Sequence, residues 1–125
     1  MSVQCTDAEW KIMEVLWDHA PRTMSDITKT LEPETGWTRH TVITLLKRMQ
    51  EKGSVAVDEM GDVKTYTPRI TREEASAAQT KRLLSHVFSG KASLLINNLL
   101  DSGEITLDEM EEMRAVIRQS RKNES

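Results

Sequence analysis

The chain has 125 residues, of which 38% are hydrophobic and 30% charged, with five glycines, three prolines and a net charge of −3. The length suits one domain or two small lobes and excludes a large catalytic barrel, while the composition excludes collagen-like and linker-like sequence. The lone Cys5 excludes an internal disulfide, and without an apolar run of about 18 residues or a basic, apolar leader we expect a cytoplasmic protein with no membrane insertion.

The segment before residue 37 predicts two helices. Thr6-Asp7-Ala8-Glu9 has the form of a capping box and Pro21 cannot continue a hydrogen-bonded helix, so the first helix is predicted over about 7–19. Its core stripe at helical spacing consists of Trp10, Met13, Leu16 and Trp17. The second helix is predicted from an N-cap at Ser25 to Pro33, with an inward face made by Ile27 and Leu31.

A third helix is predicted to begin after Thr38, whose hydroxyl can cap the amide of Thr41, and to end at Gly53. Its apolar positions recur at i, i+3, i+4 and i+7, namely Val42, Leu45, Leu46 and Met49. The opposite face carries His40, Ile43, Thr44 and Lys47. A solvated face more often carries Glu–Lys pairs, so this face is a candidate binding surface, with an ordinary surface helix as the alternative.

Basic residues concentrate in this third helix although the whole chain is acidic. Residues 37–52 hold four cations, Arg39, Lys47, Arg48 and Lys52, against the single acid Glu51. Because salt screens exposed charges beyond about 8 Å, a nearby phosphate responds to this local balance. We expect Arg39, His40 and Thr44 to meet base edges and Ile43 a thymine methyl. Lys47, Arg48 and Lys52 are expected to hold phosphates.

After Gly53 the apolar period changes to two and predicts a β-hairpin, with Val55 and Val57 before a Gly61-Asp62 turn and Val63, Thr65 and Thr67 after it. Three helices followed by a hairpin is the element order of a winged helix-turn-helix, whose third helix enters the DNA major groove. We therefore expect a mainly α fold with a small β-hairpin wing over residues 1–70. The candidate DNA-binding residues are Thr38, Arg39, His40, Thr41, Ile43, Thr44, Lys47, Arg48 and, in the wing, Lys64.

Residues 71–125 predict three further helices joined by glycines. Thr71-Arg72-Glu73-Glu74 and Thr106-Leu107-Asp108-Glu109 are capping boxes, a break is predicted near Gly90, and residues 118–125 are expected to fray. So few elements cannot enclose their apolar residues within one chain, which indicates a helical dimerisation domain. The candidate dimerisation residues are Leu83, Leu84, Val87, Phe88, Leu94, Leu95, Leu99, Leu100, Met110, Met113 and Ile117.

Motifs along nearly the whole chain agree in order and spacing with one family. They are Thr6-Asp7-Ala8-Glu9-Trp10, Val15-Leu16-Trp17, Trp37-Thr38-Arg39-His40-Thr41-Val42-Ile43-Thr44-Leu45-Leu46-Lys47-Arg48-Met49, Lys52-Gly53, Tyr66-Thr67-Pro68, Thr71-Arg72-Glu73-Glu74, Val87-Phe88-Ser89-Gly90 and Glu111-Glu112-Met113-Arg114. With these motifs the sequence resembles the bacterial penicillinase repressor family, the repressors of β-lactamase and methicillin-resistance operons. The resemblance implies a dimeric winged-helix repressor that binds an inverted-repeat operator on double-stranded DNA.

The resemblance also implies release from DNA by proteolysis in the dimerisation domain, after a signal from a membrane sensor protease system. The matching bond is Asn98-Leu99, where relatives often place Phe after the Asn. The wing segment Glu59-Met60-Gly61-Asp62-Val63-Lys64 departs from the family because it carries two acids and one lysine where relatives are more basic. His40 stands where Lys is common, so a contact made there depends on pH.

Other classes of function find less support in the sequence. A winged-helix protein-interaction module, in which the face with Ile43 and Thr44 meets a protein, stays open, as does a ligand-sensing regulator, although no clustered polar groups suggest its pocket. Cys5, His19, His40 and His86 lack ligand spacing, so we expect no metal and no other cofactor. The chain has no glycine-rich phosphate loop, nucleophile elbow or paired-His helix, so we expect no catalysis.

Overall fold

The computed structural model describes residues 4–124, and within that range it is mainly helical with one small sheet, as expected. The elements are α1 Asp7–Asp18, β1 Arg22–Thr23, α2 Met24–Thr35, α3 Arg39–Lys52, β2 Val55–Asp58, β3 Thr65–Pro68, α4 Arg72–Val87, α5 Ala92–Asp101 and α6 Leu107–Glu124. Apart from β1, their order of three helices and a hairpin followed by three helices is the one that the sequence predicts.

The chain divides into two compact units, Met1–Thr80 and Lys81–Ser125. The division falls inside α4, whose first two turns belong to the first unit. Ala75 and Ala78 are buried there, and the Gln79 side-chain amide donates to the Cys5 carbonyl at 2.9 Å. The assignment of DNA binding to residues 1–70 and of dimerisation to residues 71–125 stays a prediction.

Helix α1 begins at the predicted capping box. The Glu9 amide donates to the Thr6 hydroxyl at 3.2 Å, and the Thr6 amide donates to the Glu9 carboxylate at 2.9 Å. The core face is made by Ile12, Met13, Val15 and Leu16, all of them buried.

The prediction that Trp10 and Trp17 lie in the core is wrong. Both are only partly buried and pack at its edge, with their rings edge to face and their centroids 5.2 Å apart. At that edge the Trp17 indole nitrogen donates to the Ile70 carbonyl at 2.9 Å, and the Arg72 guanidinium lies 4.9 Å from the ring centroid. An indole ring is apolar except for its N–H group. A partly buried position lets the ring pack against the core while the N–H donates a hydrogen bond.

Two predictions for α2 are wrong, although Ile27 and Leu31 face inward as predicted. The N-cap is Thr23 rather than Ser25, because Thr23 is the residue with extended backbone, and its hydroxyl accepts the Asp26 amide at 3.1 Å. Pro33 does not end the helix, which continues to Thr35. A proline costs one backbone hydrogen bond in the last turns, and the helix closes instead at Gly36, whose φ of 69° suits a left-handed C-cap.

Helix α3 confirms its prediction in full. The Thr41 amide donates to the Thr38 hydroxyl at 3.4 Å, and Gly53 closes the helix with its amide 3.0 Å from the Met49 carbonyl. The predicted apolar face, Val42, Leu45, Leu46 and Met49, is buried. The opposite face of α3 is thereby turned away from the core.

The sheet has three antiparallel strands in the order β1-β3-β2. Strands β2 and β3 form the predicted hairpin, with Val57 opposite Tyr66, whose side chain is buried. Val63 was expected in the second strand of the hairpin but lies before β3 and is 61% exposed. Strand β1, which pairs Arg22 with Tyr66, has two residues and is too short for a period of two to reveal it.

In the second unit α5 and α6 are joined by a short connection that contains Gly103. The Glu109 amide donates to the Thr106 hydroxyl at 3.1 Å and the Thr106 amide donates to Glu109 at 3.2 Å, which confirms that capping box. The expectation of a frayed tail after residue 117 is wrong for the described residues, because α6 continues to Glu124. Ser125 lies outside them.

Candidate nucleic-acid interface

The outer face of α3 is the candidate interface. Arg39, His40, Thr44, Lys47 and Arg48 are exposed on it, whereas Thr41 and Ile43 are half-buried. The helical period that buries Val42, Leu45 and Leu46 is the reason why these polar positions point away from the core. Thr38, the exposed N-cap, stands at the beginning of the same surface.

Three cations on this face are available to an external anion. Within residues 4–124, Arg39, Lys47 and Arg48 take part in no ion pair. A cation without a carboxylate neighbour keeps its full attraction for phosphate, and a guanidinium offers a planar fork of donors that fits two acceptors at once. This part of α3 is therefore suited to bind a polyanion.

The threonine hydroxyls of α3 are already directed by the backbone. The Thr44 hydroxyl donates to the His40 carbonyl at 2.8 Å, and the Thr38 hydroxyl accepts the Thr41 amide. A hydroxyl that has given its proton to a carbonyl retains acceptor capacity. Thr44 in this rotamer is consequently able to accept from an amino group of adenine or cytosine in a major groove.

An open groove of about 290 Å³ separates the beginning of α3 from the wing, which is the segment 55–68. Ile43, Met24 and Val63 supply its apolar surface, and Arg39 and Lys64 lie along it. Ile43 is therefore a half-buried residue of the groove rather than a fully exposed side chain. It still presents methyl groups at the surface, where a thymine methyl could contact them.

The tip of the wing is acidic, and its one lysine is already paired. Lys64 Nζ lies 3.0 Å from Glu59 Oε1, and this hydrogen bond together with the charge of Glu59 raises the pKa of Lys64. Asp58 accepts the Met60 amide at 2.8 Å, and Asp62 is exposed. The structure thus places Lys64 near the groove but balances its charge, and the sequence contains the signal for this in Glu59, five residues before the lysine.

Lys52, expected to hold phosphate, is instead part of the fold. Its ammonium lies 2.6 Å from Glu9 Oε1 and 3.2 Å from the Gln4 carbonyl oxygen, at the end of α3. Burial by itself would raise the pKa of Glu9, but the hydrogen bonds from Lys52 and the Thr6 amide outweigh it and lower the pKa. The sequence gives no signal for a pair that lies 43 residues apart.

The candidate dimerisation residues lie on α4, α5 and α6 or directly after α4. Among them Leu83, Val87, Leu94, Leu100, Met113 and Ile117 are exposed, and Leu84, Phe88, Leu95, Leu99 and Met110 are half-buried. Helix α5 has no buried residue, and Asn98 of the candidate cleavage bond is exposed in it. Leu107 and Val116, which are not among the candidate dimerisation residues, are also exposed on α6.

The described residues give little support for a metal site, a membrane-spanning helix or a small-molecule pocket. No three His, Cys, Asp or Glu side chains among residues 4–124 are grouped so that they could hold a metal ion. In the same range no helix combines the length and the apolarity that a bilayer crossing requires. The open concavity of about 470 Å³ on α6 is lined by Met113, Val116 and Ile117 together with Glu109 and Glu112.

Comparison with known proteins identifies the family. The model of the penicillinase repressor family matches residues 5–119. The chain belongs to this family. The penicillinase repressor of Bacillus licheniformis is 26% identical over 114 residues, which are 91% of this chain and 89% of that protein. The methicillin resistance regulatory protein MecI of Staphylococcus aureus is 21% identical over 91% of this chain and 93% of its own.

A solved structure connects the penicillinase repressor fold of the chain to DNA binding in a relative. The solution structure of the Bacillus licheniformis BlaI monomeric form in complex with the blaP half-operator is 31% identical, with a TM-score of 0.53, and covers 59% of this chain and 90% of that chain. The match confirms the winged-helix fold. That BlaI chain binds its half-operator, and the candidate interface on α3 belongs to the same fold.

Proposed function

We propose that this chain is a sequence-specific transcriptional repressor that binds an inverted-repeat operator as a homodimer, with α3 in the major groove. The observation that carries the proposal is the outer face of α3, where Arg39, Lys47 and Arg48 are exposed and form no ion pair with any residue that the structure describes. Family membership and the half-operator complex of the BlaI relative support it. The regulated genes are those of β-lactamase or of related resistance and cell-wall-stress functions, in line with the names of the relatives.

The residues of the interface divide by chemistry. Arg39, His40 and Thr44 read base edges, with Thr44 as an acceptor, and Lys47 and Arg48 hold phosphates. Thr38, Thr41 and Ile43 form the rest of the DNA-contacting surface at the beginning of α3. Lys64 contributes weakly, because Glu59 already neutralises it.

The dimer forms through the apolar side chains of the second unit. The exposed leucines of α5 and the exposed Met113, Val116 and Ile117 of α6 form apolar surface that a monomer leaves in water. Burying apolar area stabilises association by about 25 cal/mol per Å² before the entropic cost of binding is subtracted. Two copies joined in this way bind two half-sites at once, which raises avidity by roughly 10²–10⁴.

Induction proceeds by proteolysis between Asn98 and Leu99, driven by a membrane sensor protease system. The bond lies near the end of α5, where the Asn98 carbonyl accepts the Ser102 amide at 3.1 Å. Helix ends open more readily than helix centres, so a protease gains access there by local fraying. A cut shortens an already short helix and weakens the dimer while the first unit stays intact. Mass-mapping of the chain in β-lactam-treated cells tests this, and an intact chain during full derepression contradicts it.

A repressor acts by binding rather than by chemistry, so we propose no catalytic activity, no cofactor and a cytoplasmic location beside bacterial DNA. The two relatives named above support this assignment, because one is a penicillinase repressor and the other a methicillin resistance regulatory protein.

Fluorescence anisotropy on DNA from upstream of the protein's own gene tests the proposed function. The full chain should bind a short inverted repeat there, and Arg39→Ala should weaken binding and relax the preference at one base position by about 1–3 kcal/mol. Lys91→Ala is the matched control, since Lys91 is an exposed cation of the second unit. Absence of binding even at low salt, or equal effects of both variants, contradicts the proposal, and the former result favours a protein-interaction module.

A further inference from the structure

Hydrogen bonds from Lys52 and Gln79 hold the segment that precedes α1, and Lys52 also pairs with Glu9 in the first turn of α1. We call these residues the N-terminal clasp: Gln4, Cys5, Glu9, Lys52 and Gln79. Lys52, at the end of α3, donates to the Gln4 carbonyl at 3.2 Å and to Glu9 at 2.6 Å. Gln79, in the second turn of α4, donates to the Cys5 carbonyl at 2.9 Å. The clasp therefore links the end of the candidate recognition helix to α4 through residues that lie next to each other in sequence.

Among the described residues, two side-chain contacts tie the first two turns of α4 to the rest of the first unit. At its beginning the Arg72 guanidinium lies over the Trp17 ring, and seven residues later Gln79 bonds to Cys5. At about 1.5 Å per residue the two attachments are roughly 10 Å apart along the helix. A helix held at one point can pivot, whereas a helix held at two points has a fixed axis. Ala75 and Ala78 are buried between the two attachments.

The axis of α4 matters because the helix runs unbroken from Arg72 to Val87 and carries the chain out of the first unit. Over its length of about 24 Å, a tilt of roughly 10° moves the far end by about 4 Å. One base-pair step along DNA is about 3.4 Å. A tilt of about 10° thus moves the end of α4 by about the same distance as a change of one base pair in the spacing of two bound half-sites.

We propose that Gln79 is a positioning residue for operator binding, which sets the half-site spacing that the dimer accepts by fixing the axis of α4 through the Cys5 carbonyl. This inference rests on the proposed function, namely that two copies bind two half-sites together. Gln79 itself contacts no DNA in this account. Its contribution is the second attachment point of α4, and its loss widens the range of spacings while the affinity for one half-site stays the same.

The test uses the full chain and a series of operators whose half-sites are moved apart or together by one and two base pairs, together with a single half-site. Gln79→Met keeps the length of the side chain and removes the donor, and Gln79→Lys keeps a donor. Thr80→Ala, on the exposed side of the same turn, is the matched control. Circular dichroism and the melting temperature establish that each variant is folded.

We expect the wild type and Thr80→Ala to show a sharp optimum of spacing. At that optimum Gln79→Met should bind about fivefold more weakly than the wild type, as expected for the loss of one hydrogen bond. When the spacing changes by one base pair, the affinity of Gln79→Met should fall much less than that of the wild type. Its half-site affinity should stay within about twofold of the wild type, and Gln79→Lys should restore the sharp optimum.

Two results overturn the inference while leaving the proposed function in place. One is a spacing profile of Gln79→Met as sharp as that of the wild type. The other is an equal loss on the single half-site and on every spaced operator, which makes Gln79 a residue of general stability only. If the wild-type chain binds no operator of any spacing, the result contradicts both the proposed function and the inference. This outcome is distinct from the other two.

Discussion

Lys52→Met removes the ammonium that faces the buried Glu9 carboxylate and keeps most of the apolar stem of the side chain. In the wild type, Glu9 Oε1 accepts from Lys52 at 2.6 Å and from the Thr6 amide at 2.9 Å, whereas Oε2 is buried and has no hydrogen-bond partner within residues 4–124. The substitution therefore leaves a buried charge with one hydrogen bond, and the free energy of unfolding should fall.

The magnitude follows from the exposure of the two side chains. Removing one partner of a fully buried ion pair costs about 3–5 kcal/mol. The Glu9 side chain is 1% exposed but that of Lys52 is 37% exposed, so solvent screens the pair and we expect a loss of about 2 kcal/mol. In a unit of this size that corresponds to a decrease of roughly 10 °C in the melting temperature.

Glu9→Gln provides the informative comparison. The amide oxygen can still accept from Thr6 and no charge remains buried, while Lys52 is exposed enough to be hydrated. We expect this variant to lose about 1 kcal/mol, less than Lys52→Met, because it lacks the unpaired buried carboxylate. Lys11→Met breaks the exposed pair with Glu34 and is the matched control, with no resolvable change expected.

The stability difference should also depend on pH. The pKa of Glu9 is lowered in the folded protein, so its contribution is complete above the unfolded value of about 4.3 and is lost as the pH falls through the folded pKa. Lys52→Met and the wild type should therefore approach each other in stability in acid. Urea unfolding at pH 7 and pH 3.5 measures this. Equal losses in Lys52→Met and Glu9→Gln, or a constant gap between wild type and Lys52→Met at both pH values, would show that the loss does not come from an unpaired buried carboxylate.

Three further predictions concern the proposed interface and the dimer. Lys47→Ala should weaken binding to all sequences alike and reduce the slope of log affinity against log salt by about one unit, and an unchanged slope removes Lys47 from the interface. Thr44→Ala should relax the base preference at one position by about 1–3 kcal/mol in a binding-site selection, and an unaltered preference excludes a base contact. A chain that ends after Thr80 should sediment as a folded monomer and bind the operator more weakly by a factor of roughly 10²–10⁴. A truncated chain that is still a dimer and binds the operator as tightly as the full chain contradicts the placement of the dimer interface.

Helix α3 could be predicted from the sequence because all the information that defines it is local. The cap at Thr38, the four apolar positions from Val42 to Met49 and the closing Gly53 lie within one segment, and each of them is confirmed. The candidate DNA-binding face followed from the same periodicity. In α2 the local signals competed, and Thr23 rather than Ser25 became the cap because strand pairing to Thr65 already holds Thr23 in extended conformation.

The contacts that the sequence could not reveal are those between distant residues. Trp17 reaches Ile70 across 53 positions, Lys52 reaches Glu9 across 43 and Gln79 reaches Cys5 across 74. No periodicity relates such pairs, and the charge of Lys52 was for that reason assigned to phosphate. Strand β1 was not predicted for a different reason: its conformation comes from pairing with β3 rather than from its own two residues.

Affinity cleavage tests most directly whether α3 is the element that enters DNA. An iron chelate is coupled to a cysteine introduced at Gln50, which is exposed on α3, while the native Cys5 is buried. The same chelate at Glu111 on α6 is the control. If α3 enters the major groove, the α3 probe should give two clusters of cuts about one helical turn or a multiple of it apart, one within each half-site, and the α6 probe should give none. Cuts of equal strength and position from both probes, or no cuts from the α3 probe on DNA that the protein binds, contradict this placement of α3.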